Sequence, residues 1–246
     1  MNQIKLSIII AIYNSHEAVR RQVLWFTSMD LPDDIEIIFV DDGSNPPLGP
    51  YNLKNLRIIQ TNDKRPWTQG LARNRGIKEA RGEYLLLTDI DHILSKEAIM
   101  DSHRFTGDRL IFPRYIGVLL EDGSFTQDPL TLGGYGLDKS RLKTSRGLYA
   151  SYHGNTFCIK KSTIVELGGY SEKHCTYLHH AGPRRGEDSV FNSAWNHWAR
   201  SKGIVCDVGS KIYIFPIGRY NINGDLNPQG LFHNLSQAQE VQPMKG

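Results

Sequence analysis

The sequence predicts an α/β fold in which helices flank a mostly parallel β-sheet. Four short apolar runs in the first 88 residues have the length of buried strands, and two segments with helical spacing lie between them. The resulting order of strand, helix, strand, strand, helix, strand is typical of a doubly wound sheet. Carboxylates follow two of the apolar runs, at the edge where open α/β sheets bind ligands.

The elements of the first half are assigned from apolar spacing and from the turn residues between them. Asn14 and Ser15 follow the isoleucine-rich first strand and precede a helix, and Gly82 interrupts the chain before the central strand. In order, the predicted elements are strand 5–12, helix 16–29, strand 35–40, strand 56–61, helix 70–80, strand 84–88 and helix 95–103.

The second half of the chain is less regular. Its predicted elements are one or two strands within 109–120, long glycine-containing loops over 121–152, a strand at 155–159, a helix at 161–167, a loop at 170–185, a helix at 187–201 and short strands at 204–208 and 212–215. Residues 221–246 are polar with little periodicity. We therefore expect a single domain over 1–220 and a C-terminal tail over 221–246.

Composition limits the function class and the location. With a formal charge of +3 over 246 residues, the chain suits anionic ligands but is too weakly basic to indicate nucleic-acid binding. Its three cysteines, Cys158, Cys175 and Cys206, fit neither a disulfide framework nor a zinc motif, so we expect a cytoplasmic location. No stretch reaches the roughly 20 apolar residues of a membrane helix, so any work at a membrane would be peripheral.

Two carboxylates, Asp89 and Asp91, follow the central strand with one apolar residue between them. If the chain stays extended beyond Thr88, both side chains point to the same side of the strand. Such a pair favours a hard divalent cation that also contacts phosphate oxygens. The alternative is that one aspartate caps the helix that begins near Ser95 while the other is solvated.

Two more acidic pairs accompany this one. Asp41 and Asp42 end the second strand, and Glu187 and Asp188 begin a late helix. Because parallel strands end at one edge of a sheet, the aspartates of the second and central strands should share a cleft with the first strand's exit at 11–15. Taken alone, the first pair also fits an ordinary turn and the last pair an ordinary helix cap.

Six segments follow one another in the order typical of a known family. They are SIIIAIYN at 7–14, VDDGS at 40–44, GLARNRGI at 70–77, GEYLLLTDIDHILS at 82–95, GNTFCIKKSTIVELGGYSE at 154–172 and GEDSVF at 186–191. Through them the chain resembles a GT-A-fold inverting glycosyltransferase of the family-2 type. The resemblance implies a Rossmann-like sheet with a nucleotide-sugar-binding half over 1–95 and a C-terminal acceptor and catalytic half over 96–220.

The resemblance also implies which residues bind the donor. Tyr13 is expected to contact the nucleobase, and Asp42, with Asp41 beside it, to bind the base or ribose. Arg73 and Asn74 match a segment near the nucleotide, where a helix start and an arginine suit a diphosphate. The complete set of implied donor-binding residues is Ala11, Tyr13, Asp41, Asp42, Arg73, Asn74 and Asp89.

The same resemblance implies the metal site and the catalytic base. Asp91 is expected to contact Mn²⁺ or Mg²⁺ directly, with Asp89 towards the ribose and the metal, and His233 is a candidate third ligand. Asp188 is implied as the general base, with Glu187 beside it. An ordinary surface histidine is an equal alternative for His233.

The expected partners are a nucleotide-sugar donor, with UDP-sugar favoured, and a hydroxyl-bearing acceptor such as a glycan. Arg141, Lys143 and Arg146 form a basic cluster that could face an anionic acceptor, whether an acidic glycan, a teichoic-type polymer or a modified nucleic acid. Trp67 is a candidate sugar contact. The acceptor-side Gln/Arg-x-x-Arg-Trp motif of processive synthases is absent, which favours the addition of one or a few sugars.

Two other functions remain open from sequence. A sugar nucleotidyltransferase would carry a glycine-rich, basic signature after the first strand, where this chain has AIYNSHEA. A non-catalytic module that binds sugar nucleotides or glycans is the second alternative, and only a test of the predicted base separates it from an enzyme.

Overall fold

The structure is a computed structural model that describes residues 3–63, 68–134, 148–171, 173 and 186–214. Its strands are β1 (Leu6–Ile12), β2 (Ile35–Asp41), β3 (Leu56–Gln60), β4 (Tyr84–Asp89), β5 (His92–Leu94), β6 (Arg109–Ile116), β7 (Val118–Leu119), β8 (Phe125–Thr126), β9 (Tyr149–Lys160), β10 (Asp207–Val208) and β11 (Ile212–Ile214). Its helices are α1 (His16–Thr27), α2 (Gln69–Glu79), α3 (Lys96–Arg104), α4 (Pro129–Gly134), α5 (Lys161–Glu166) and α6 (Glu187–Lys202).

Among these residues, nine strands form one mixed sheet in the order β3-β2-β1-β4-β9-β6-β11-β5, with β10 also paired to β6. The neighbours β3, β2, β1 and β4 are parallel, while β9 runs antiparallel to both β4 and β6. The carboxyl ends of β1, β2 and β4 therefore meet at one edge of the sheet, as the sequence predicts. The hairpin of β7 and β8 forms a separate small sheet.

Both faces of the parallel region are covered, which explains its nearly continuous apolar strands. All seven residues of β1 are buried, and alternate ones belong to different cores. Ile8 packs with residues of α1 and α3, whereas Ile9 packs with residues of α2 and α6. A methyl group at Gly76 would lie 2.5 Å from Ile9 Cγ2, so glycine lets α2 approach β1 closely.

The prediction for 121–152 is wrong in part. Instead of loops alone, the described part of this stretch contains β8, α4 and the start of β9. Strand β9 begins at Tyr149 rather than at residue 155, because Tyr149 and Tyr152 pair with Tyr115 and Pro113 of β6 across an irregular register. Such pairing depends on a distant strand and leaves little trace in local apolar spacing.

The remaining differences are small. Helix α1 ends at Thr27, before the predicted residue 29, and the strand predicted over 204–208 is limited to Asp207–Val208. Strand β5 was not predicted; it begins directly after residues 89–91, here called the central acidic segment. None of the described helices is both long enough and apolar enough to span a bilayer.

Candidate functional site

The central acidic segment changes direction at its midpoint. Strand β4 ends at Asp89, a turn follows at Ile90 and Asp91, and His92 begins β5. Gln22 of α1 donates hydrogen bonds to the carbonyl oxygens of Ile90 (3.2 Å) and His92 (2.7 Å), which holds this turn against the core. The chain is therefore not extended beyond Asp89. The prediction that Asp89 and Asp91 point to the same side of one strand does not apply, because a turn separates them.

The turn brings together the ligand atoms of a possible metal site. One ligand atom each from Asp89, Asp91 and His92 lies within 4.8 Å of the others, and this is the only such group found among the described residues. Carboxylate oxygens with an imidazole nitrogen suit Mn²⁺, and the carboxylates alone suit Mg²⁺. His92 was not assigned from sequence, although its position directly after Asp91 was a usable signal. His233 lies outside the described residues.

His92 is buried and neutral. Burial lowers the pKa of its imidazole to about 4, although nearby Asp89 opposes the shift. Its Nδ1 lies 2.6 Å from Thr156 Oγ1, and its Nε2 lies 3.1 Å from Arg114 Nη1. Because a guanidinium can only donate, Nε2 is the acceptor and Nδ1 is assigned the proton. A metal bond to Nε2 would require Arg114 to move aside.

Asp89 lies within a dense set of donors. Gln69 and Arg73 both donate to its Oδ1, and Asn155 Nδ2 donates to its Oδ2 at 3.2 Å. These bonds provide hydrogen-bond donors for both oxygens of the partly buried carboxylate. Asp89 and Asp91 are both partly buried, and the expected direct contact of Asp91 with a cation stays a prediction.

Arg73 joins the central acidic segment to the late acidic pair. Its guanidinium is fully buried and forms ion pairs with Asp89 and, at 2.7 Å, with Asp188 Oδ1. Burial alone would lower the pKa of Arg73, but Asp89, Tyr170 and Asp188 outweigh it and hold that pKa above its usual range. The predicted contact with a diphosphate stays a prediction, since both carboxylates already occupy this guanidinium.

Asp42, at the end of the second strand, is connected to Asp89 through the residues at the start of α2. Thr68, the residue before α2, donates from Oγ1 to Asp42 at 2.8 Å, and the next residue, Gln69, donates to Asp89. Burial raises the pKa of Asp42 to about 6, with smaller contributions from Asp63 and Asp41 against the hydrogen bonds of Thr68 and Thr61. Helix α2 and its cap residue therefore contact an aspartate from each of the three acidic clusters.

The carboxylate of Asp41 stabilises the loop that follows β2. Its Oδ1 accepts from the backbone N–H of Ser44 and its Oδ2 from that of Leu48, both at 2.8 Å, so its carboxylate organises the loop after β2. Asn14 locks the neighbouring loop by accepting from the Asn45 N–H at 2.8 Å. Ala11 is buried and pairs with Asp89 across β1 and β4, which places the exit of β1 beside the site as predicted.

Asn74 of α2 contacts the chain segment that follows α5. Its Nδ2 donates to Tyr170 O at 2.8 Å, and its Oδ1 accepts from Tyr170 N at 2.9 Å. This reciprocal pair fixes the chain after α5 and stacks the Tyr170 ring on Phe191 of α6, with centroids 5.0 Å apart. The structure thus gives Asn74 a bracing role, and the predicted donor contact stays a prediction.

The late acidic pair divides between core and surface. Glu187 is buried, whereas the Asp188 side chain is 31% exposed and lies at the first turn of α6. Asn192 donates to Asp188 O at 2.8 Å and accepts from Arg109 Nη2 at 2.7 Å. Asp188 is therefore the member of the pair that a substrate can reach, on a helix braced by the sheet. Tyr13 is partly exposed at the exit of β1.

The structure does not describe two predicted substrate contacts. Trp67 and the basic cluster of Arg141, Lys143 and Arg146 lie outside the described residues, as does most of the loop predicted at 170–185.

Fold and site together define an α/β protein of the GT-A class, in which an acidic centre lies at the carboxyl ends of parallel strands. Comparison with known families gives the family: the model of glycosyl transferase family 2 matches residues 7–163. The chain belongs to that family.

Curated relatives carry specific names. The chain is 34% identical over 216 residues to a poly(ribitol-phosphate) β-glucosyltransferase of Bacillus spizizenii, a match that covers 81% of this chain and 30% of the relative. It is 31% identical over 109 residues to the poly(ribitol-phosphate) β-N-acetylglucosaminyltransferase TarS of Staphylococcus aureus, covering 41% and 18% of the two chains. This chain thus spans less than a third of the length of either relative.

Solved structures share the fold. The first 349 residues of S. aureus TarS with UDP-GlcNAc superpose with a TM-score of 0.54 at 20% identity, over 86% of this chain and 58% of that one. A mannosyltransferase of Pyrobaculum calidifontis, solved with GDP-mannose and Mn²⁺, gives a TM-score of 0.50 at 15% identity, over 85% of this chain and 57% of that one.

Proposed function

We propose that this chain transfers a sugar from a nucleotide-diphosphate sugar, a UDP-sugar, to an acceptor hydroxyl with inversion at the anomeric carbon. The observation that carries the proposal is the convergence of Asp42, Asp89 and Asp188 around α2 and its cap residue. Such a transfer needs a carboxylate that recognises the nucleobase, a carboxylate beside the diphosphate and a solvent-accessible general base.

Each acid then has one role. Asp42 accepts from the nucleobase or ribose, and Asp188 takes the proton of the acceptor hydroxyl. The acceptor oxygen attacks the anomeric carbon from the face opposite the diphosphate, and the bond from that carbon to the diphosphate oxygen breaks. The nucleoside diphosphate leaves with the bonding electron pair, so the configuration at the anomeric carbon inverts.

A divalent cation would be held by Asp91 with Asp89 and His92, whose ligand atoms are mutually close. When bound, it supplies Lewis-acid neutralisation of the diphosphate. Mn²⁺ fits the mixed oxygen and nitrogen ligands best. The other donors around Asp89, Gln69 and Asn155, keep that carboxylate in one orientation.

For the acceptor, we propose an anionic polyol-phosphate polymer. Two of the relatives are named for poly(ribitol-phosphate), and the basic cluster at 141–146 supplies complementary charge. Acidic glycans remain the alternative class. A panel of polymers with and without phosphate, scored by release of nucleoside diphosphate, distinguishes the two.

Asp188→Asn tests the proposed function. The variant keeps the shape of the side chain but removes the base, so we expect kcat to fall by about 10²- to 10⁴-fold while UDP binding with Mn²⁺ is retained. Turnover is measured as UDP release from a panel of UDP-sugars, and binding by calorimetry.

Glu97→Gln is the matched control, because Glu97 is an exposed acid in the first turn of α3 and is not one of the acids assigned to the site. It should leave both turnover and binding unchanged. Unaltered turnover in Asp188→Asn would remove the assignment of the base, and binding of UDP-sugars without turnover by the wild type would favour a non-catalytic module.

A further inference from the structure

Arg73 contacts both Asp89, at the end of the central strand, and Asp188, the proposed base. Its Nη2 donates to Asp89 Oδ1 and its Nη1 to Asp188 Oδ1, so the two acids share one guanidinium. Asp89 ends a strand in the first half of the chain, and Asp188 begins a helix in the second half. One side chain thus spans the two halves at the site.

The surroundings of Arg73 fix the position of its guanidinium. The side chain has no exposed surface, and the guanidinium lies 5.2 Å from the centroid of the Tyr170 ring. Tyr170 is itself held by Asn74 through two backbone hydrogen bonds and is stacked on Phe191. Because α2, the chain after α5 and α6 all pack around this guanidinium, its two donor nitrogens have fixed directions.

Without Arg73, Asp89 and Asp188 would lose the guanidinium that both carboxylates contact. Like charges at such a short separation repel, and Asp188 is the freer of the two because 31% of its side chain is exposed against 14% for Asp89. The base would move first. A displacement of about 1 Å at a reacting group can lower a rate by about 100-fold.

We propose that Arg73 is a positioning residue that holds Asp188 at a fixed place relative to the donor half through its shared contact with Asp89. This inference rests on the proposed role of Asp188 as the base, and it assigns Arg73 to the base instead of to direct contact with the diphosphate. Arg73 then affects turnover only through Asp188, whereas a diphosphate contact would affect donor binding whether or not the base is present.

Arg73→Lys is the primary variant, because lysine keeps the positive charge but offers a single nitrogen that cannot point along both directions. We expect kcat to fall by about 10- to 100-fold. The donor KM and the calorimetric affinity for UDP with Mn²⁺ should stay within about threefold of wild type, because a residue that acts only through Asp188 does not change donor binding. Arg75→Lys is the matched control, because Arg75 is on the same helix with a half-exposed side chain paired to Glu79.

A double-mutant cycle separates this role from a merely structural one. In the Asp188→Asn background the base is already absent, so adding Arg73→Lys should change the residual turnover by less than about threefold. A further loss of tenfold or more, or a loss of UDP affinity in Arg73→Lys, overturns the inference and leaves the base assignment standing. Wild-type turnover in Asp188→Asn overturns the base assignment itself.

A second pair of variants keeps the test decisive if Arg73→Lys does not fold. Arg73→Gln combined with Asp188→Asn removes one charge of each sign. Asp89 keeps its hydrogen bonds from Gln69 and Asn155. Its turnover should equal that of Asp188→Asn alone, with wild-type affinity for UDP and Mn²⁺. A tenfold lower turnover or a lost affinity contradicts the positioning role.

Discussion

At this site, the role of each acidic side chain depends more on the groups that contact it than on its residue type. Asp41 and Asp42 are adjacent acids, yet backbone N–H groups occupy the first, while two threonine hydroxyls contact the second. Glu187 and Asp188 likewise separate into a buried and a reachable carboxylate. Sequence shows both pairs plainly, but the division of labour within each pair follows from burial.

Asp42 gives a prediction about stability and pH. Its pKa is raised by burial from 3.8 to about 6, so the folded state holds a proton that the unfolded state has already lost. The stability that this group contributes is therefore greatest below about pH 4 and is lost as pH rises to about 6. We expect Asp42→Asn to gain about 2 kcal/mol relative to wild type between pH 4.5 and 7.5, measured by urea unfolding.

The control for this prediction is again Glu97→Gln, whose carboxylate is exposed. Its free energy of unfolding relative to wild type should not vary between pH 4.5 and 7.5. A pH-independent difference for Asp42→Asn would show that the carboxyl titrates in the folded protein as it does in the unfolded chain.

At the scale of elements, α2 and the segment after α5 depend on each other. Gly168 and Gly169 both have positive φ, +79° and +65°, as expected where a helix ends. A methyl group at Gly169 would lie 2.6 Å from Asn74 Oδ1, whereas one at Gly168 meets nothing within 4 Å. Alanine variants at the two glycines therefore distinguish the cost of backbone strain from the cost of crowding the Asn74 side chain.

Gly169→Ala should destabilise the protein more than Gly168→Ala. Both variants carry the cost of alanine at positive φ, but only the first displaces the Asn74 amide from Tyr170, which adds about 1–3 kcal/mol. Urea unfolding of both variants measures the difference. In an Asn74→Ala background the excess should disappear, and equal losses in the two single variants would mean that Asn74 moves aside freely.

At the scale of the molecule, the described parts of both halves contribute strands to one nine-stranded sheet. Strand β9 from the second half lies between β4 and β6, so unfolding of either half would expose an unpaired strand of the other. Unfolding should therefore be a single cooperative transition. Any ligand that binds the site at the carboxyl edge should then stabilise the entire chain.

UDP with Mn²⁺ tests this expectation. At a ligand concentration about 100 times Kd, the free energy of unfolding should rise by about 2.7 kcal/mol. Circular dichroism and tryptophan fluorescence should report the same midpoint with and without ligand. EDTA should remove the part of the shift that depends on metal, and two separate transitions would contradict a single cooperative unit.

The prediction from sequence was best where contacts are local. The strands that end in acids, the helix after Thr68 and the start of α6 all follow from apolar spacing and turn residues within a short window. It failed for β9, whose first residues pair with β6, and at Ile90–Asp91, where the chain turns instead of staying extended. Neither feature has a local signature.

Sequence by itself determined the α/β class, the acids at the strand ends and the family resemblance, because short-range periodicity and strand-end chemistry are written in consecutive residues. Tertiary structure alone decided that Arg73 lies between Asp89 and Asp188, a contact that spans 115 positions in the chain. It also showed that ligand atoms of Asp89, Asp91 and His92 lie within 4.8 Å of one another, although the position of His92 directly after Asp91 was a usable sequence signal. The physical reason is that such contacts depend on how distant elements pack, and packing is a property of the whole fold.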